Sequence, residues 1–469
     1  RDYYASRGLG DVYKRQVSLH CDTAMDLLTE DGTGELKEVQ TLEPGETLQI
    51  AADSTLFETA NRIYARPQAL SAKTTVDSIL RNGKTPVYPG NFEIEKTGEG
   101  FLLINELALE DYLRFVVPSE MPASYPAEAL KAQAVCARTY AYMHMLHAGL
   151  QNYGAHVDDS AAFQVYNNIA EASETSEAVY ETKGQMLLSG GTPVTAYFYS
   201  TSCGYGTDLT AWNLTYGDEM AATGGYLRAR NIAKGQMLSD TQNPDVHSSD
   251  AQESAEGSKL AEEDSFATFI KTADADSFEQ EDTYYRWRYD TALDTELLLA
   301  NLQVRYEKSP GNIRRKKGNG YVDEKPEKLG MVTGLTAVKR TTGGVMTELL
   351  IEGTEDTYRV CGEQNIRYVL AGENTEIALS ADYSKKGTIN GMLPSSFFVI
   401  EPVYETDDGI STEKAKEAPV VISYTLYGGG FGHGIGMSQN AARRMAQAGY
   451  DYKQILQFFY ECSIEGVNE

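Results

Sequence analysis

Two short stretches hold residue types and spacings that could do chemistry. In Val116-Val117-Pro118-Ser119-Glu120-Met121-Pro122 a single carboxylate stands between two prolines. Proline locks its own φ and restricts the residue before it, so Glu120 is expected in a stiff connection just ahead of a helix. A carboxylic acid held close to apolar groups keeps its proton to higher pH, the state a general acid needs at neutrality. The plainer alternative is an ordinary loop carboxylate. The second stretch, Gly428 to Gln439, packs six glycines around His433, Met437 and Gln439. Glycine at that density means tight turns and a close approach of backbone to something, either a substrate or another strand. Ser438 is suited to cap a following helix, whose first amides could hold an anion or oxyanion. The stretch lacks the Gly-Lys-Ser/Thr ending and the dinucleotide fingerprint, so it is not a nucleotide loop. His433 reads equally as a lone buried histidine.

The surrounding elements must position these groups. FEIEKTGEGFLLIN (92–105) reads as a hairpin turning at Gly98 and Gly100. Residues 105–117 make a short amphipathic element that Pro118 should stop. A helix is expected over about 126–147: Pro126 sits in its first turn, and Leu130, Ala134, Ala137, Ala141 and Met145 share one face. Later, MVTGLTAVKRTTGGVMTELLIEG (331–353) is a second hairpin, and 395–405 and 418–430 read as strands. A helix should follow from about Ser438 to Ala448, and Asp451 can cap a last one. The expected fold class is α+β: a mixed, largely antiparallel sheet packed against the 126–147 helix, with an acidic insertion. The expected organisation is a leader over 1–16 foreign to the native protein, a small β-rich region over 17–82, and a main domain over 83–469 interrupted by an insertion at 216–325.

Composition narrows the partners. The chain has 469 residues and a net charge of -27, which argues against nucleic acid, because phosphate binding needs Lys and Arg. Residues 240–283 carry 13 acidic residues against two lysines; they are expected as a surface insertion, helical at most around 260–272, and 309–328 as a solvated, linker-like loop. Five scattered cysteines without a CxxC pair argue against a disulfide framework and a four-cysteine zinc site, and leave open one pair in an oxidising compartment. No run of eighteen apolar residues offers a spanning helix. The true N-terminus, with any export signal, is expected to be missing.

The segments EDYLRFVVPSEMPASYPAEALKAQAVCARTY (110–140) and GFGHGIGMSQNAA (430–442) resemble the SpoIID/LytB family, as do DDSAAFQVYNNI (158–169), the stretch 178–208 and the GLTAVKRTTGG run. The resemblance covers roughly 83–215 and 326–469. It implies a peptidoglycan lytic transglycosylase that cleaves the bond between N-acetylmuramic acid and N-acetylglucosamine in stripped glycan strands and leaves 1,6-anhydro ends. It also implies a wall amidase as partner and an extracytoplasmic, cell-envelope setting, with a membrane anchor in the missing N-terminal segment as one option. The family's catalytic glutamate falls on Glu120 and its helix arginine on Arg138, which reads equally as a substrate-binding group that hydrogen-bonds the sugar or orients a carboxylate and as a structural salt bridge inside the fold. Its final motif falls on Gly432, His433, Gly434, Met437, Ser438 and Gln439, taken as substrate-binding. The alternative is a non-catalytic, glycan-binding activator of the amidase.

Two departures qualify the resemblance. Some members hold zinc through His and Cys ahead of the QxY motif. Here His156 has no cysteine beside it, and Ser160 and Phe163 stand where thiols belong, so no metal and no cofactor are expected. Asn440 replaces a more usual aromatic. Glycine buries little apolar area and costs backbone entropy, so the 428–439 loop is expected to form an uncrowded wall beside Glu120, open to a sugar.

Overall fold

The computed structural model describes residues 3–7, 16–58, 60–81, 83–98, 100–147, 150–159, 163–212, 225–235, 259–273, 276–406, 409–411 and 421–467. The chain is α+β and divides into two units, 1–196 with 463–469, and 197–462.

In the first unit, alternation of apolar and polar residues decides the strands. Gln16–Cys21 and Met25–Glu30 bury every second side chain, the period that sends one face of a pleated strand into a core. One antiparallel sheet runs in the order Tyr3–Arg7, Phe101–Ala108, Asn91–Lys96, Arg62–Pro67, Met25–Glu30, Leu36–Leu42. A second runs Thr47–Ala51, Gln16–Cys21, Thr74–Val76, Val87–Tyr88. The hairpin at 96–101 forms as expected: Lys96 faces Phe101, and the Thr97 amide donates to the Gly100 carbonyl at 2.8 Å.

Three helices pack on these strands: α1 (Leu109–Glu120), α2 (Ala127–His147) and α3 (Ser173–Glu181). The side chains of α2 are buried from Ala129 to Ala141 apart from Lys131. A helix enclosed on nearly all sides belongs to a core, and its alanines let neighbours come close. Leu113, Val116 and Val117 of α1 join Ala134, Ala137 and Ala141 of α2 in the same cluster as Leu19, Ile50 and Ile94 of the sheets. Each of the three α1 residues contributes about 2 kcal/mol by leaving water. The closing strand Ser463–Gly466 pairs with Gln185–Ser189.

The second unit holds a six-stranded sheet in the order Lys385–Ile389, Thr375–Leu379, Trp287–Thr291, Val421–Gly428, Phe398–Thr406, Gly409–Ser411. A five-stranded sheet runs Gly320–Val322, Ile313–Lys317, Thr357–Cys361, Met346–Gly353, Val332–Arg340. Its helices are α4 (Glu263–Lys271), α5 (Thr295–Lys308), α6 (Glu363–Val369), α7 (Gln439–Gln447) and α8 (Tyr452–Phe459). Among the described residues the one parallel pairing of named strands joins Phe198–Tyr199 to Met437–Ser438.

Several expectations differ from this architecture. Pro118 does not stop α1, which runs on to Glu120. A proline near a helix end loses only one backbone bond, and the buried neighbours Val116 and Val117 hold the turn in place. Residues 17–82 do not stand apart, because strands 25–30, 36–42 and 62–67 share one sheet with 91–96 and 101–108. Nor are 240–283 and 309–328 solvated loops throughout, and the stretch 216–325 contributes to the sheets. Trp287–Thr291 is an internal strand of a sheet, and 309–328 contains the hairpin in which Lys317 faces Gly320. Phe266, Ile270 and Phe278 are buried within the acidic stretch; residues 240–258 and 274–275 of that stretch lie outside the described residues. The averaged charge of 240–283 concealed these apolar anchors.

Candidate active site on the first unit and the glycine loop of the second

Glu120 ends α1. Tyr112, Leu113, Val116 and Val117 are buried at i, i+1, i+4 and i+5, which turns one face of the helix inward and brings its last residue to the rim. Met121 follows in extended backbone, its amide still donating to the Val117 carbonyl at 2.9 Å. The Glu120 carboxylate is half-buried, lies at the negative end of the helix macrodipole, and accepts the Val165 amide at 2.6 Å. One residue back, Ser119 accepts the Asn167 amide at 3.1 Å. The strap 163–172, which has no regular secondary structure, is thereby tied to the helix end.

The rest of the QVY triplet fixes the strap from behind. Gln164 is fully buried; it accepts from the Tyr112 hydroxyl at 3.4 Å and donates to the Ala137 carbonyl at 3.2 Å. The Tyr166 ring stacks on Tyr112 at 6.0 Å and on Phe115 at 5.8 Å. Burial, and then the nearby charge of Glu120, pushes the Tyr112 phenol well above its ordinary range. Asp159 lies on the same segment. Burial pushes its carboxyl up to about 6, although Arg81 is ion-paired to it. The site thus offers one half-exposed carboxylate, an aromatic floor and a second, buried acid. Among the described residues no group of three or more His, Cys, Asp or Glu is arranged to hold a metal.

Arg138 does not reach an open surface. It is fully buried, and its five N–H groups are spent inside the protein. Nε and Nη2 fork onto the Glu110 carboxylate at 2.6 and 2.9 Å; Nη2 also donates to the Val179 carbonyl, and Nη1 to Thr182 and the Gln185 carbonyl. This geometry ties α1, α2 and α3 together, a structural ion pair and not a sugar contact.

The glycine loop of the second unit is packed, not open. A Cβ on Gly436 would lie 2.0 Å from the Tyr197 carbonyl oxygen, one on Gly428 2.2 Å from the Trp287 ring, and one on Gly434 2.5 Å from Phe397. Gly432, Gly434 and Gly436 have φ values of 116°, 80° and 74°, where side chains are strained. The amides of Gly429, Gly430, Phe431 and Gly432 donate to the carbonyls of Phe397, Tyr284, Thr201 and Pro394. The Met437 amide is shared by the Tyr197 carbonyl and the Tyr460 hydroxyl, both at 3.1 Å. Of the two partners glycine density allows, the loop has chosen other strands. The expected uncrowded surface is corrected on that ground; Phe431 is the loop residue classed as exposed.

His433 sits among Trp212, Tyr199 and Tyr197, with ring centroids 4.9, 5.6 and 6.4 Å away. Its Nδ1 accepts the Ile435 amide at 3.0 Å, and it also bonds to the Phe198 backbone. Burial pushes its pKa down to about 3, helped by the charge of Arg367. It is therefore neutral and carries no proton to donate beyond the one it shares with the backbone. Ser438 caps α7, accepting from the Ala441 amide at 3.4 Å, and donates to Glu279 at 2.7 Å. Gln439, the first residue of α7, is buried beside it.

Glu279 was missed from sequence because it lies in the acidic stretch. It is fully buried and accepts from the Ser202 amide at 2.9 Å and from the Ser202 and Ser438 hydroxyls. Burial pushes its carboxyl up to about 7 against those three hydrogen bonds. The signal available was its place next to YYRWRY (284–289), where aromatics return.

With this geometry in hand, the likeness to known proteins falls into two parts. Residues 97–188 match the family described as Stage II sporulation protein (SpoIID), and residues 226–436 match a domain of unknown function (DUF8618). The first match contains Glu120, Arg138 and the strap; the second takes in most of the stretch expected as an insertion. The amidase enhancer of Bacillus subtilis is 26% identical over 400 residues, 85% of this chain and 46% of that protein. Stage II sporulation protein D of the same organism is 37% identical over 123 residues, 23% of this chain and 36% of that protein. An uncharacterized protein of Brachyspira hyodysenteriae is 36% identical over 135 residues, 29% of this chain and 36% of that protein. The chain spans less than half the length of these curated relatives. Its residues 97–188 carry a SpoIID domain, and the amidase enhancer and the sporulation protein are what the chain is similar to.

Proposed function

We propose that this protein acts on the bacterial cell wall as a lytic transglycosylase of peptidoglycan glycan strands, with Glu120 as its acid and base. The observation that carries this reading is the setting of Glu120: a half-buried carboxylate at a fixed helix end, beside an aromatic floor, inside the segment that matches SpoIID. One carboxylic acid suffices for the reaction. It gives its proton to the glycosidic oxygen as the bond to C1 breaks. The resulting carboxylate then takes the proton of the 6-hydroxyl as that oxygen closes on C1. No water enters, so the second carboxylate of the usual glycosidase scheme is not required.

The names of the relatives support the setting. The amidase enhancer that aligns with most of this chain suggests an amidase as the protein's partner, and the sporulation protein suggests action outside the cytoplasm. No helix among the described residues is long and apolar enough to cross a membrane, which says nothing of a β-barrel.

The test is incubation with denuded glycan strands and with intact peptidoglycan, followed by mass detection of 1,6-anhydro ends. The wild-type protein should produce them and Glu120→Gln should not. If Glu120→Gln still stimulates a wall amidase while neither protein cuts glycan, the chain is a glycan-binding activator and the transglycosylase reading falls.

A further inference from the structure

The first unit contains a cleft of about 920 Å³ lined by Lys73, Arg81, Lys84, Tyr88, Phe115 and Asn168 among others. We propose that this cleft is a subsite for an acidic saccharide, a sugar bearing a carboxylate or a phosphate, and that Lys73 and Lys84 read its charge. The inference rests on the proposed action of Glu120 on glycan and goes beyond it by naming how the ligand is chosen.

Charge makes the cleft unlike the rest of the chain. With 41 basic against 68 acidic residues, a cleft lined by three cations and one acid is against the average. The acid, Glu171, is ion-paired to Arg114, and Arg81 is ion-paired to Asp159. Lys73 and Lys84 are exposed, and among the described residues neither ammonium is in an ion pair. Two ammoniums facing one cleft that can bury a ligand hold an anion more tightly than surface lysines in bulk solvent do.

Shape and chemistry make the ligand a sugar. The ring of Tyr88 packs on Tyr166 at 5.8 Å, and Tyr166 in turn stacks on Phe115, so the apolar wall is aromatic. Aromatic walls with a few fixed polar groups suit a ligand that has both apolar faces and hydroxyls. The rim is preorganised. Asn168, at φ 53°, clamps Val87 by accepting its amide at 2.8 Å and donating to its carbonyl at 2.7 Å. A non-glycine residue held in that region is a strained feature retained by its surroundings.

The cleft also continues from the candidate acid. The strap binds Glu120 at Val165 and Ser119 at Asn167, and lines the cleft from Asn167 onward. Two residues of extended chain span about 7 Å, so neighbouring sugars of one strand reach both places.

The experiment is calorimetric titration of Glu120→Gln, which cannot consume its ligand, with a neutral chito-oligosaccharide and with carboxymethylated and phosphorylated forms of the same length. At low salt the anionic forms should bind about tenfold tighter than the neutral one, an advantage that high salt removes. The two anionic arms separate a carboxylate reader from a phosphate reader. Lys73→Glu combined with Lys84→Glu should abolish the preference while leaving the melting temperature unchanged, since both side chains are exposed; Lys73→Met with Lys84→Met repeats the test without reversed charge. Equal binding of neutral and anionic oligomers, or a preference that survives both double variants, overturns the subsite. Because binding is measured on a protein without the acid, failure here leaves the cleavage assay untouched, and failure of that assay leaves this preference standing.

Discussion

Glu120 and the glycine loop look alike in sequence, each a dense motif with one candidate catalytic side chain, and the structure treats them in opposite ways. Around Glu120 the protein ties the strap to the helix end and leaves the carboxylate half-exposed, where it accepts the Val165 amide. Around His433 it spends nearly everything on itself: the glycines admit Trp287, Phe397 and Tyr197, and the imidazole is locked neutral among three aromatic rings. Motif density therefore reports constraint, and constraint comes from packing as readily as from chemistry. What separates the two is what surrounds the functional group: a helix end and a strap at Glu120, three aromatic rings at His433.

The comparison is broken most sharply by Glu120→Gln. Loss of a general acid costs about 10²- to 10⁴-fold in rate, whereas an amide at a half-exposed helix end should move the melting temperature little. Residual cleavage within tenfold of wild type would put the acid elsewhere, and Asp159 would be the first residue to test. Arg138→Ala comes next. It leaves Glu110 facing a buried hole, so unfolding in urea should show a loss of about 3–5 kcal/mol. Arg138→Lys keeps the charge but not the fork and should recover only part of that loss. If Arg138→Lys instead raised KM with full stability, the arginine would be a sugar ligand.

In the second unit, Gly436→Ala forces a Cβ to 2.0 Å from a carbonyl oxygen at φ 74°, and about 3 kcal/mol of stability should go. Gly190→Ala in the first unit has φ 58° but nothing within 4 Å, so about 1 kcal/mol is expected. Equal losses at the two positions would mean that backbone strain, not close packing, explains the loop.

Much of this was legible in the sequence. The 126–147 helix, the two hairpins and the antiparallel character follow from periodicity and turn residues, which act locally. The importance of QVY was visible only through resemblance, because its work is done by contacts to Tyr112 and Ala137 dozens of residues away. The role of Arg138 split evenly in sequence between substrate and scaffold, and only its partner Glu110, 28 residues earlier, decides for scaffold. The glycine run was misread on energetic grounds. Glycine is a poor core residue taken alone, yet it is the residue that fits where the rings of Trp287 and Phe397 and the carbonyl of Tyr197 crowd a backbone. Glu279 was invisible for the opposite reason, one carboxylate in a stretch that carries 13 acidic residues.

Glu279 supplies the cleanest sign, an effect spread over a range of pH. Its folded pKa is about 7 against an ordinary 4.5, so the folded protein holds the proton more tightly than the unfolded chain. The stability this contributes is complete below about pH 4.5 and is lost as pH rises through 7, on the order of 3 kcal/mol in all. Asp159 in the first unit follows the same sign over a lower window, ending near 6. Wild-type melting temperature should therefore fall between pH 5 and 8 in both units. Glu279→Gln retains an acceptor for Ser202 and Ser438 but has no charge to bury, so it removes only the upper part of that decline. Melts of the variant across this range should run flatter than wild type above pH 6 and cross it near neutrality, the variant being the more stable at pH 8. A variant whose pH slope matches wild type would mean that Glu279 stays ionised in the fold, held by its two serines, and that the second unit has no titrating acid at its centre.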